Sequence, residues 1–94
     1  MKNSNNINTG NSIMNFPFNE LVSFCYNAML RFDDYQQICY DKNKNEIADY
    51  FEDSYNQLES IMFNLKQEDA TLEVRNIIRS IIKETEKIAI AQLY

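Results

Sequence analysis

Residues 18–39 read FNELVSFCYNAMLRFDDYQQIC, and the spacing of the apolar groups in this stretch decides the fold. Phe18, Leu21, Cys25, Ala28, Phe32, Tyr35 and Cys39 follow one another at alternating intervals of three and four residues. That period is helical: side chains three and four positions apart stand one above another on a single face. Val22 and Met29 widen the seam, while Phe24, Tyr26, Leu30 and Ile38 lie off it. Just upstream, Asn15-Phe16-Pro17 reads as a helix entrance. Proline suits the first helical position, Asn15 can cap, and Phe16 can fold back onto the first turns.

Downstream, the polar run DKNKNE at positions 41–46 interrupts the pattern. Asp and Asn favour caps and turns over helix interiors. A short loop is therefore expected, with Asn43 or Asn45 capping a second helix. That helix carries a seam of Ile47, Phe51, Ser54, Leu58, Ile61 and Leu65. After QEDAT, where Asp69 or Thr71 can cap, a third seam runs through Val74, Ile78, Ile81, Thr85, Ile88 and Gln92, broadened by Ile77, Ile82 and Ala89. Helices are predicted at about residues 17–40, 46–66 and 70–94, their bounds following from where the seams begin and stop. The prediction is an all-α chain: an antiparallel three-helix bundle, or a helical hairpin completed by oligomerisation. Residues 1–15, with four Asn in the first eight, read as a flexible tail, and residues 16–94 as one helical domain.

The composition supports this. One Gly and one Pro in 94 residues leave few of the tight turns that a sheet protein needs. A hydrophobic fraction of 45% is enough for a core. Cys25 and Cys39 both fall on the first seam and are expected as buried free thiols of a reducing compartment. The first residues have no apolar stretch of a secretory leader, and no apolar run approaches a membrane span, so a cytoplasmic location is expected.

The sequence contains no histidine. That removes the Ser-His and Cys-His nucleophile pairs, the usual zinc ligand sets and the commonest acid–base residue. No enzyme and no cofactor is expected. A net charge of −5 opposes nucleic acid as a partner, because phosphate neutralisation supplies most of that affinity.

Two charged rows remain. Arg75, Arg79, Lys83 and Lys87 recur every fourth residue and form a basic ridge that could bind a phosphate, a nucleotide or another small anion. The simpler expectation is that it pairs with acids of the second helix. Asp49, Glu52, Asp53 and Glu59 lie there, and would otherwise offer an acidic face to a basic partner, as an inhibitor of the immunity or anti-defence type does. The chain up to Asp69 holds 11 acids against 5 bases, and from Ala70 on 3 against 4, which matches that pairing.

Finally, the chain ends IAIAQLY. A helix apolar on every side must be covered on every side. Tyr50, Phe63, Ile90, Leu93 and Tyr94 are the expected contact residues for another protein or a second copy, with the N-terminal segment as the remaining way to cover the end. The reading is a small acidic helical protein that works by protein–protein interaction and self-associates.

Overall fold

The core grows from the first seam. In the computed structural model, which describes residues 13–94, that seam lies on α1 (Phe18–Asp41). Leu21, Cys25, Ala28, Met29, Phe32, Tyr35 and Cys39 of α1 are buried, and Phe18 at its start is half-buried. They face α2 (Asn45–Phe63), which buries Ala48, Phe51, Ser54, Leu58 and Met62. Tyr35 lies between Phe32 and Phe51, with ring centroids 6.4 and 5.2 Å away. Third comes α3 (Leu72–Leu93), which buries Ile78, Ile82, Thr85, Ala89 and Leu93. Every regular element among the described residues is helical, with short 3-10 turns at Ile13–Asn15 and Gln67–Asp69.

Tie points at both ends give the directions. At one end Arg75 near the start of α3 donates to the carbonyls of Ile13 and Phe16, just before α1. At the other, Lys42 and Lys44 after α1 donate to the carbonyls of Leu93 and Gln92 at the end of α3. So α1 and α3 run parallel and α2 returns between them, an up-down-up bundle. The two lysines also place positive charge against the negative end of the α3 dipole, which has no basic residue of its own in its last turn. Within the core, Thr85 joins α3 to α2. Its hydroxyl oxygen is 2.7 Å from the Ile81 carbonyl and 2.8 Å from Ser54 Oγ. Thr85 has one proton to give and the carbonyl can only accept, so Ser54 donates to Thr85.

Several boundaries differ from the sequence reading. Asn43 ends α1 rather than capping α2. It sits at φ 60°, and Lys44 N–H reaches back 2.8 Å to the Cys39 carbonyl, as in a Schellman ending where asparagine replaces the usual glycine. The cap position of α2 is Lys44, with no side-chain acceptor. The second helix stops at Phe63, short of Lys66. Beyond it Asp69 accepts from Lys66 N–H and holds the Gln67–Asp69 turn, and Thr71 accepts from Val74 N–H to start α3. Pro17 occupies the cap position of α1, and Phe16 stacks edge-on against Phe24 with centroids 5.3 Å apart.

The assignment of a flexible tail to the first residues falls, up to Ser12, outside the described residues. Ile13 is fully buried in the core, against α3.

Candidate binding groove

The basic row belongs to two different environments. Arg75 is spent on the fold: its guanidinium donates to the carbonyls of Ala70, Ile13 and Phe16 at 2.8–2.9 Å. Arg79 donates to Asn76 Oδ1 at 2.6 Å. Lys83 and Lys87 are exposed and make no ion pair among the described residues. The expected pairing of this ridge with α2 does not form. Among the described residues the ion pair present is Arg31–Glu86, at 2.7 Å, between α1 and α3. The reason is rotational: α2 and α3 meet through Ser54 and Thr85, which leaves the α2 acids pointing away from α3.

Arg79, Lys83 and Lys87 instead border a groove between α1 and α3 of about 800 Å³. Ile13, Phe24, Ile82 and Ile90 give it an apolar floor, and Arg31, Glu84 and Glu86 complete the rim. No α2 residue lines it. It follows α3 from Arg79 to Ile90, about 16 Å at 1.5 Å per residue. Glu86 is held there by two donors, Arg31 Nε at 2.7 Å and the Tyr35 hydroxyl at 2.5 Å. Burial and the Glu86 carboxylate push the Tyr35 phenol up to about 12. Tyr35 therefore stays neutral and donating through the physiological range. Burial also pushes the Cys25 thiol up to about 11 and raises Cys39, so both unpaired thiols, buried as the seam predicted, are poor nucleophiles.

The residues expected at a protein interface separate into three sets. Ile90 is 66% exposed, and Phe63 and Tyr94 are each 81% exposed. Tyr50 is half-buried, its ring edge-on to Phe51. Leu93 departs from the expectation: it is buried within the bundle. The third seam runs through Ile78, Ile82, Thr85, Ala89 and Leu93, one stripe over from the line through Ile81, Ile88 and Gln92, so Leu93 turns inward and Gln92 outward. The acids Asp49, Glu52, Asp53 and Glu59 are all exposed on the solvent side of α2 and make no ion pair among the described residues.

Sequence reasoning did not single out Arg31, Glu86 or Ile13 as site residues. Arg31 carried a signal: it is the only basic residue within α1, next to Asp33 and Asp34, and such a lone cation is well placed to meet an acid of another helix. Ile13 stood among polar residues, and nothing local marks it. Among the described residues no group of His, Cys, Asp or Glu side chains could hold a metal ion, and no helix is long and apolar enough to cross a membrane. The chain matches no family model, no curated protein and no solved structure.

Proposed function

We propose that this chain is a non-enzymatic helical protein that acts by binding a protein, another or itself, through the α1–α3 groove and the Ile90–Tyr94 end. The observation that carries the reading is the apolar edge of the groove, half-buried Phe24 and exposed Ile90, above a floor of buried Ile13 and Ile82. Scattered apolar side chains are ordinary on a surface, but a concave cluster rimmed by charge is the form of a docking site. A helix laid in the groove would cover Phe24 and Ile90 together.

The test is Ile90→Asp. It should abolish self-association in light scattering, or, for a monomer, capture of a partner, while circular dichroism keeps its helical signal. Association or capture unchanged by Ile90→Asp removes the reading.

A second reading has its own observation. Arg31, Arg79, Lys83 and Lys87 converge on a groove whose volume suits a small ligand, which supports binding of a small anion or nucleotide. Here thermal stabilisation by phosphate or nucleotides is the measurement, because a ligand at 100 times its dissociation constant adds about 2.7 kcal/mol. The exposed acids of α2 support a third, inhibition of a basic partner, whose binding would weaken steeply with salt.

A further inference from the structure

We infer that the occupant of the α1–α3 groove is α2 of a second copy of this chain, docked head-to-tail. The inference rests on the protein-binding reading and names its partner.

Complementary charge within one sequence is the first argument. Between Asn45 and Phe63 the second helix carries five acids, Glu46, Asp49, Glu52, Asp53 and Glu59, and no base. All five are exposed. The groove carries Lys83 and Lys87 without ion-pair partners among the described residues, beside Arg79 and the already paired Arg31. The two rows cannot meet inside one molecule. In a three-helix bundle the groove between two helices opens on the side opposite the third, and no residue of α2 lines this one. They can meet only between copies.

Order along the helices is the second argument. Asp49, Glu52, Asp53, Glu59 and Phe63 recur at helical spacing on one face, so the acidic row ends at a phenyl ring that is 81% exposed. On α3 the row Arg79, Lys83, Lys87 ends in the same way at exposed Ile90. Glu59 precedes Phe63 by four residues, and Lys87 precedes Ile90 by three. Laid parallel with Phe63 on Ile90, α2 brings Glu59 beside Lys87 and places Glu52 and Asp53 beside Arg79, with Lys83 in reach. The antiparallel alignment sets Phe63 among the cations and carboxylates over the apolar end.

The energetic roles divide accordingly. Exposed ion pairs contribute at most about 1 kcal/mol each, so they set register and speed encounter. Burial of Phe63 against Phe24 and Ile90 supplies the attraction. The contact uses different surfaces on its two sides, so it closes as a ring or extends as an open chain.

The experiment is sedimentation or light scattering on the full chain and on two charge-reversed variants. One is reversed in the groove (Lys83→Glu with Lys87→Glu), the other on α2 (Asp53→Lys with Glu59→Lys). The wild type should gain mass with concentration and lose it with salt. Each variant alone should stay monomeric with helicity retained. Mixed, they should assemble again, because an intact groove then meets an intact α2 and a reversed groove meets a reversed α2. All four reversals in one chain should restore assembly. A wild type monomeric at every concentration in low salt overturns the inference, as does assembly that survives either reversal. Phosphate that stabilises a persistent monomer also overturns it, in favour of a small anion. A monomer that still captures a different protein in an Ile90-dependent way overturns the second copy alone; failure of both removes the protein-binding reading as well.

Discussion

Tyr35 sits where core, groove and charge meet. Its ring packs between Phe32 and Phe51, and its hydroxyl donates to Glu86 at the groove rim. Desolvation of the ring and the Glu86 bond both favour the neutral phenol, so the folded chain holds this proton up to about 12 against an ordinary 10.0. A group whose folded value is raised stabilises fully below the unfolded value and loses that contribution as pH climbs through the folded one. The window is therefore pH 10 to 12. Urea midpoints measured across it should fall in the wild type and fall less steeply in Tyr35→Phe. At neutral pH the same substitution should cost about 1 kcal/mol, the worth of one hydrogen bond to a partly exposed carboxylate. Equal slopes for both proteins would mean that Tyr35 titrates like a solvated tyrosine. The arrangement was half legible in advance: the seam placed Tyr35 in the core, but Glu86 lies 51 residues away, and no local spacing announces such a partner.

At the scale of elements, the three helices follow from periodicity because each has a continuous apolar line and polar breaks on either side. The connections followed less well. DKNKNE offers two asparagines, and either can cap a helix start or close a helix end. The choice is made by Asn43 entering the left-handed region at φ 60°, where asparagine is the best tolerated residue after glycine. Replacement tests this directly. Asn43→Ala should lower stability by about 1 kcal/mol, the handedness penalty for a residue with an ordinary Cβ. Asn43→Gly should be neutral or slightly stabilising. Thermal melts separate the two, and an alanine variant as stable as glycine would refute the assignment. The third helix shows a different limit. Its paired isoleucines, 77–78 and 81–82, supply two adjacent apolar stripes, and the sequence alone does not rank them. Contact with α1 ranks them: placing Glu86 against Arg31 and Tyr35 turns Ile82, Ala89 and Leu93 inward. The same rotation carries Lys83 and Lys87 to the groove rather than to α2, so the charge pairing read from composition could not survive it.

At the scale of the whole molecule, one side chain ties three segments together at one end of the bundle. Arg75 donates to Ile13, Phe16 and Ala70, joining the segment before α1, the loop before α3 and α3 itself. Those carbonyls need a donor, and Ile13 is held where its side chain both fills the core and floors the groove. Stability and the shape of the groove are thus coupled through one arginine that the regular four-residue spacing had grouped with the groove-lining cations. Removing the buried isoleucine in Ile13→Ala should cost about 2–5 kcal/mol through lost burial and the cavity left behind. For a domain of this size each kcal/mol shifts the melting temperature by about 4–8 °C. A drop of at least about 8 °C is expected. Arg75→Met should lower it as well, by leaving the Ile13 and Phe16 carbonyls without their donor. In the double variant the two costs should not add, because loss of either releases the same segment. Additive losses would show that Ile13 is held in place by its own packing and that Arg75 acts elsewhere. A drop of under about 2 °C for Ile13→Ala would show that this residue does not belong to the cooperative core.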